Sequence, residues 1–198
     1  QKYKIKEYNN KILISEANLF SEWYIPKKLN IFKIKNFKKK YKKEIKNLLL
    51  KLKFKNDTFV HRDFHISNLI YFKNNIGVID TQDALIGNKA YDLASLVDDV
   101  RLKTTNKDKE IIYKKFINIH KIKNLQNFKN DFEILSVMRN LKIIGIFTRL
   151  SIRDGKNKYL KLIPYAWKLI ETRILNNKKF NSLKILLDTN FNKKIRNY

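Results

Sequence analysis

Apolar positions along the chain recur mostly at helical spacings, and one short stretch follows the pattern of β-strands. Residues spaced three and four apart predict a helix over residues 37–54. A longer helix over residues 132–152 is apolar on almost all sides in its second half, which is typical of a central buried helix. The same spacing predicts further helices over residues 15–29, 90–101, 106–120, 159–175 and 180–187, with residues 121–130 as a polar linker.

Two apolar runs joined by a polar turn predict a β-hairpin between these helices. The first run is Leu69–Phe72, the turn lies at residues 73–75, and the second run ends at Asp80. A short strand at Phe59 and Val60 precedes the hairpin, and residues 81–88 after it are expected to form a loop. The fold class predicted is therefore mainly α with a small β-hairpin.

Charge and composition narrow the function classes. The net charge is +26, but only seven of the 44 basic residues are Arg, whereas phosphate clamps and base readers rely on Arg. Lys, Asn, Ile and Phe are also the residues of adenine- and thymine-rich codons, so solvated lysines are favoured over a nucleic-acid surface. No cysteine is present, which excludes disulfides, thiolate metal sites and cysteine nucleophiles. No apolar run reaches 18 residues, so no transmembrane helix is expected.

Candidate chemistry is concentrated in the segment that runs from His61 to the end of the hairpin. Asp63 lies five residues before Asn68, and Asp80 follows twelve residues later. Asn68 and Asp80 occupy opposite ends of the hairpin sequence and can converge on one Mg²⁺, which prefers hard oxygen ligands. Asp63 would accept the proton of an acceptor hydroxyl. The same order, His-Arg-Asp, then Asn, then a metal-binding Asp, occurs in protein kinases.

The neighbouring polar residues are interpreted mainly as supports for this segment. His61 is expected to hold the loop backbone. His65 either holds the loop or lies near the phosphates. Asp83 can orient a metal-bound water or lock the loop, and both roles stay open. Asp92 lies in the first turn of a predicted helix, where a carboxylate complements the helix dipole.

A rival interpretation uses the two histidines as metal ligands. His61, Asp63 and His65 form the pattern His-x-Asp-x-His, which could bind a transition metal in a hydrolase. This interpretation leaves Asn68 and the hairpin without a role, so the phosphoryl-transfer interpretation is favoured.

Three motifs in this order resemble the aminoglycoside phosphotransferase and choline kinase superfamily. They are His-x-Asp-x-His-x-x-Asn (residues 61–68), Ile-Asp-x-x-Asp (79–83) and Tyr-Asp-Leu-Ala-Ser-Leu (91–96). Residues 60–65, 77–84, 16–24 and 139–160 are similar, more narrowly, to bacterial anomeric kinases of N-acetylmuramate and N-acetylglucosamine. The resemblance covers about residues 8–190. In such folds an Asp placed like Asp92 accepts hydrogen bonds from the catalytic-loop backbone.

The resemblance implies a cytoplasmic kinase that uses Mg²⁺ and ATP or another nucleoside triphosphate. Its acceptor would be a small molecule, with an amino sugar of cell-wall recycling expected. Asp63 would be catalytic, and Asn68 and Asp80 would bind the metal. Neither a membrane nor a nucleic acid is an expected partner. Substrate contacts are hypothesised for three residues of the long helix and its end: Arg139, Arg149 and Arg153. Ion pairing of these arginines with the protein's own acids is the favoured alternative.

The resemblance also implies that this chain lacks the N-terminal lobe of such a kinase. Kinases of this type carry an N-terminal lobe with a phosphate-covering loop, whereas the four glycines of this chain are scattered. Residues 1–14 are expected to be a lead-in from that lobe, residues 15–190 the helical C-terminal lobe, and residues 191–198 a polar tail. The chain alone is expected to have little or no kinase activity. The alternative is a non-catalytic scaffold lobe that binds nucleic acid or a partner protein.

Overall fold

The computed structural model describes residues 4–196, so residues 1–3 of the expected lead-in and 197–198 of the expected tail lie outside the described residues. The described chain is mainly α, as predicted. Its helices are α1 Asn10–Leu19, α2 Ile25–Lys28, α3 Ile31–Leu49, α4 Ala90–Val97, α5 Asn106–Ile119, α6 Leu125–Asp154, α7 Ile163–Ile174, α8 Asn181–Asn190 and α9 Lys193–Arg196. Its strands are β1 Thr58–Val60, β2 Leu69–Phe72, β3 Asn75–Val78 and β4 Leu85–Gly87.

The predicted hairpin is confirmed. Strands β2 and β3 pair antiparallel, with Leu69 opposite Val78 and Phe72 opposite Asn75. Lys73 and Asn74 both have positive φ angles, of 45° and 62°. Two consecutive residues with positive φ are typical of the tight turn whose twist matches that of a hairpin.

Several secondary-structure predictions are wrong: α3 begins and ends earlier than predicted, α4 ends earlier, and three further differences change the type or the start of an element. The loop expected over residues 81–88 contains strand β4, because Leu85–Gly87 pairs antiparallel with β1. The linker expected over residues 121–130 already contains the first turns of α6, which Asn124 caps by accepting a hydrogen bond from the Asn127 N–H at 2.9 Å. The helix expected from residue 15 begins at Asn10 and continues into a π-helical stretch, Phe20–Tyr24, before α2.

The first of two compact units consists of residues 4–9 and 52–136. Its core combines the apolar face of α4 with the beginning of α6. Asp131, fully buried on α6, accepts hydrogen bonds from the Lys53 and Phe54 N–H groups at 2.8–3.1 Å and from the Asn88 side chain at 2.7 Å. This carboxylate therefore satisfies backbone groups of the chain that leads into β1.

The second unit consists of residues 10–51 and 137–196. Its core is a cluster of aromatic rings whose centroids lie 5.2–6.5 Å apart. The cluster contains Phe20, Tyr24, Phe37, Tyr41, Trp167 and Phe191. The segment expected to be a polar tail thus contributes the buried Phe191, and Arg196 forms ion pairs with Glu171 and Asp188.

Candidate functional site

The candidate site is built around a backbone loop that a single carboxylate holds in place. Strand β1 ends at Val60, and the next residue but one, Arg62, has a left-handed φ of 73°. Asp92, in the first turn of α4, accepts hydrogen bonds from the N–H of His61 at 2.6 Å and of Arg62 at 3.0 Å. This is the contact expected of an Asp that supports the loop. It stabilises a conformation that a non-glycine residue rarely adopts.

Asn68 is oriented by the loop that carries Asp63. Its side-chain N–H donates to the backbone carbonyl of Asp63 at 3.0 Å, and its own backbone N–H donates to the carbonyl of His65 at 2.9 Å. The N–H of His65 donates to the same Asp63 carbonyl at 3.0 Å. Because the amide nitrogen of Asn68 is used in this way, its Oδ1 is the atom that remains to accept or to ligate.

Asp80 is brought to the same region by two hydrogen bonds of the residue before it. The Ile79 N–H donates to the carbonyl of Asn68 at 3.1 Å, and the Ile79 carbonyl lies 2.8 Å from His61 Nε2. Asp80 itself has a left-handed φ of 67°, and one of its carboxylate oxygens accepts a hydrogen bond from the side chain of Gln82. The end of the hairpin is therefore tied both to its beginning and to the loop.

The oxygen atoms of this arrangement suit Mg²⁺. An exposed carboxylate on Asp80 and the amide oxygen of Asn68 are hard ligands, and Mg²⁺ usually takes one or two protein ligands together with phosphate and water. Within residues 4–196 no group of three or more His, Cys, Asp or Glu side chains is arranged to hold a metal ion. His61 uses Nε2 on the Ile79 carbonyl. The transition-metal interpretation is therefore not favoured.

The other expected support residues lie close to the loop in different ways. His65 is buried, and its backbone joins the Asp63 turn. Asp83 is exposed, and its contact with the loop is through its backbone carbonyl, which accepts a hydrogen bond from the Arg62 guanidinium at 2.9 Å. That guanidinium also lies over the Tyr8 ring, 5.2 Å from its centroid.

Sequence reasoning missed Asp99. This residue is 2% exposed, and its carboxylate accepts hydrogen bonds from the N–H of Ile66 and of Arg101, both at 3.1 Å. Ile66 opens the short 3₁₀ turn that ends at Asn68, so Asp99 holds the turn that presents this side chain. The available signal was a pair of adjacent acids, Asp98 and Asp99, directly after the apolar face of a helix.

The three arginines hypothesised to contact substrate lie in the second unit, and their surroundings differ. Arg139 is buried at 3% exposure, whereas Arg153 is exposed and pairs with Asp154 at 2.6 Å. The hydrogen bonds that its guanidinium donates to the Asp154 carboxylate raise the pKa of Arg153. Arg149 is half-buried, and its Nε is a buried atom without a hydrogen-bond partner in the described part of the chain.

Two segments that carry the narrower resemblance meet in the second unit. Glu16, on α1, and Lys142, on α6, form an ion pair at 3.1 Å in which both side chains are nearly buried. One helical turn further along α6, Gly145 packs directly against the backbone of Leu19 and Phe20. The residues that form this ion pair and this close contact thus belong to residues 16–24 and 139–160, the two segments of this unit that resemble the amino-sugar kinases.

Comparison with known proteins agrees with these observations. Residues 17–111 match the phosphotransferase enzyme family. The resemblance to aminoglycoside phosphotransferases is confirmed. An N-acetylmuramate/N-acetylglucosamine kinase of Neisseria meningitidis serogroup B is 34% identical over 166 residues, which cover 81% of this chain and 50% of that protein. A kinase of the same description from Pseudomonas aeruginosa is 29% identical over 187 residues, which cover 91% of this chain and 55% of that protein.

The chain thus spans about half the length of the curated relatives it matches. In the part that the structure describes, no helix is both long enough and apolar enough to cross a bilayer.

Proposed function

We propose that this chain is the helical lobe of a cytoplasmic kinase that transfers the γ-phosphoryl group of ATP, or another nucleoside triphosphate, to a hydroxyl of an amino sugar. The observation that carries the proposal is the set of hydrogen bonds that tie Asp63, Asn68 and the residue before Asp80 into one segment. The relatives that share most of the chain are described as amino-sugar kinases, which supports the acceptor class.

Each residue of the segment has a distinct role in this proposal. Asp63 accepts the hydrogen bond of the acceptor hydroxyl and so orients its oxygen for in-line attack on the phosphorus. Asn68 Oδ1 and the Asp80 carboxylate would hold Mg²⁺, which neutralises phosphate charge when it is bound. Asp92 and Asp99 act as positioning residues, because their hydrogen bonds go to the loop backbone and to the turn before Asn68.

The proposal includes a second lobe that binds the nucleotide. The scattered glycines of the chain offer no phosphate-covering loop, and the relatives extend over about twice the matched length. Residues 15–190 would then form the lobe that binds the acceptor and the metal, and residues 1–14 would connect it to the lobe that binds the nucleotide. The scaffold alternative shares this fold, and it differs in requiring no function of Asp63.

Phosphoryl transfer by a joined protein tests the proposal. In this joined protein, the chain is linked to the part of the Neisseria meningitidis relative that it does not cover. We expect transfer from ATP to N-acetylglucosamine or N-acetylmuramate by the joined protein and little or none by residues 1–198 alone. Asp63→Asn should lower turnover by about 100-fold or more, because the neutral amide cannot accept the proton of the acceptor hydroxyl.

The matched control is Asp57→Asn, an exposed Asp of the same unit outside the candidate site. Its turnover should equal that of the unsubstituted joined protein. Full turnover by the Asp63→Asn protein, with an unchanged melting temperature, would contradict the catalytic role and favour the scaffold alternative.

A further inference from the structure

A cavity of about 450 Å³ lies in the first unit between strand β1, helix α4 and helix α5. Its volume is in the range of small-molecule sites. Asp63, Asn68 and Asp80 do not line it, so it differs from the proposed metal and acceptor site. The walls are mostly apolar and include Val60, Leu93, Leu96, Ile112, Phe116 and Ile119.

The charged groups that line this cavity leave it net positive. Lys89 and Lys115 both belong to the lining. Lys89 lies 3.9 Å from Asp57, whereas Lys115 has no ion pair with another described residue. The carboxylate in the lining, Asp92, already accepts the hydrogen bonds of two loop N–H groups. A ligand with an apolar body and one negative charge would therefore match both the walls and the cations.

The cavity also contacts the loop of the candidate site. Phe64, the residue after Asp63, forms part of its wall, and so does Asp92, which holds the N–H groups of His61 and Arg62. A molecule in the cavity would thus touch the side chain next to Asp63 and the carboxylate that fixes the loop. Binding there would change how firmly the loop is held.

We propose that this cavity is a regulatory site for a small apolar or aromatic anion, with the ligand acting on the loop through Phe64 and Asp92. The regulatory part rests on the proposed function, because it takes the loop to be catalytic. The binding part does not, since it depends on the cavity and its lysines alone.

The first test uses two dyes on the 198-residue chain. 8-Anilinonaphthalene-1-sulfonate is an aromatic anion, and N-phenyl-1-naphthylamine has the same ring system without the charge. We expect the anion to shift the methyl NMR signals of Leu93, Leu96 and Ile112. These shifts should saturate at one bound dye molecule per chain. The neutral dye should bind about fivefold more weakly, as expected for the loss of one ion pair of about 1 kcal/mol. Shifts scattered over the surface, or equal affinities for the two dyes, would overturn the proposal.

Variants separate the cavity from the general positive charge. Lys115→Gln should weaken binding of the anionic dye about fivefold, whereas Lys107→Gln, on the same helix but outside the cavity, should leave it unchanged. Leu96→Trp should abolish binding by filling the space. If that protein does not fold, Ile119→Trp at the 65% exposed rim takes its place. An equal effect of Lys107→Gln and Lys115→Gln would show adsorption to a basic surface and overturn the site.

Hydrogen exchange tests the link to the loop. We expect the bound anionic dye to change the exchange rates of the His61 and Arg62 amides at least about threefold, because Asp92 binds both amides and lines the cavity. If the dye binds in the cavity and these rates stay the same, the regulatory part is wrong. None of these measurements requires phosphoryl transfer, so failure of the proposed kinase function would be seen separately in the kinase assay.

Discussion

At the scale of single residues, the candidate site depends on two backbone positions that are rare for non-glycine residues. Arg62 and Asp80 have φ angles of 73° and 67°. Asp and Asn are among the few residues that tolerate this region, because their short polar side chains bond locally. Arg62 has no such advantage, and its conformation is supported by the hydrogen bond that its N–H donates to Asp92.

Because Asn tolerates a positive φ angle as Asp does, a substitution at Asp80 can remove the negative charge without straining the backbone. Asp80→Asn should keep the unfolding free energy within about 0.5 kcal/mol, because Asn accepts the same φ angle. The same change should lower Mg²⁺-dependent turnover of the joined protein about 100-fold or more, because it removes the negative charge of the proposed metal ligand. Thermal unfolding and a coupled kinase assay measure the two effects.

Asp80→Ala is the comparison for backbone strain. It removes the same charge but should destabilise the protein by about 1 kcal/mol more than Asp80→Asn, because Ala is strained at this φ angle. If Asp80→Asn kept full Mg²⁺-dependent turnover, the assignment of Asp80 as a metal ligand would be wrong.

At the scale of elements, the second unit contains a close helix contact that leaves no room for a side chain. A Cβ atom on Gly145 of α6 would lie 2.5 Å from the Leu19 carbonyl oxygen and from the Phe20 nitrogen. These backbone atoms lie where α1 passes into the π-helical stretch Phe20–Tyr24. Neither partner can give way as a flexible side chain would, so the glycine is required by the packing.

Gly145→Ala should therefore destabilise the protein by about 2–4 kcal/mol, although Ala favours a helix interior over Gly by about 1 kcal/mol. Chemical unfolding followed by circular dichroism measures the change. Gly77→Ala is the control, because its nearest neighbour would be the Ile70 carbonyl oxygen at an ordinary 3.8 Å, and it should cost less than about 1 kcal/mol. A neutral Gly145→Ala would mean that the two helices are not held this closely in solution.

A buried tyrosine connects α3 with α1 and makes stability depend on pH. The Tyr41 hydroxyl donates to the Ala17 carbonyl at 2.8 Å, and burial raises the Tyr41 pKa well above its usual value of 10.0. The folded state thus keeps the proton that an unfolded tyrosine loses near pH 10. The stabilisation is complete below that pH and declines as the pH rises above it.

Tyr41→Phe should cost about 1 kcal/mol at pH 7 through the lost hydrogen bond. Above about pH 10 the difference from the unsubstituted protein should shrink by up to about 1.4 kcal/mol per pH unit, since Phe cannot ionise. Unfolding free energies at pH 7, 9, 10 and 11 check this. A difference that stays constant over this range would show that Tyr41 is not protected from ionisation.

At the scale of the whole molecule, the net charge of +26 is spread over many exposed lysines that repel one another. At 0.1 M salt, charges that lie more than about 10 Å apart are largely screened from one another. Added salt should therefore weaken this repulsion and stabilise the folded chain. We expect the melting temperature to rise by several degrees between 50 and 500 mM sodium chloride. A falling melting temperature would indicate that favourable ion pairs outweigh the repulsion.

The features of the fold that the sequence predicts are those formed by residues close together in the chain. Asn68 bonds to the Asp63 carbonyl only five residues away, and the hairpin register follows from its own turn, so both lie within one readable stretch. Strand β4 pairs with β1, about 25 residues earlier, and its Ile86 also bridges Glu7, while its three residues are too few to show a strand pattern of their own. The π-helical stretch likewise adjoins Gly145, which lies about 120 residues away in sequence. Such features follow from tertiary packing, which a local pattern does not encode.

The exposed hairpin has a consequence for the handling of the chain. Strands β2 and β3 pair only with each other in the described structure, and three of their apolar side chains, Tyr71, Phe72 and Ile76, are 66–72% exposed. Open strand edges with such side chains favour association between molecules, and a high like charge opposes it. Added salt would therefore act in opposite directions, making each folded chain more stable and a concentrated solution of chains more prone to aggregate.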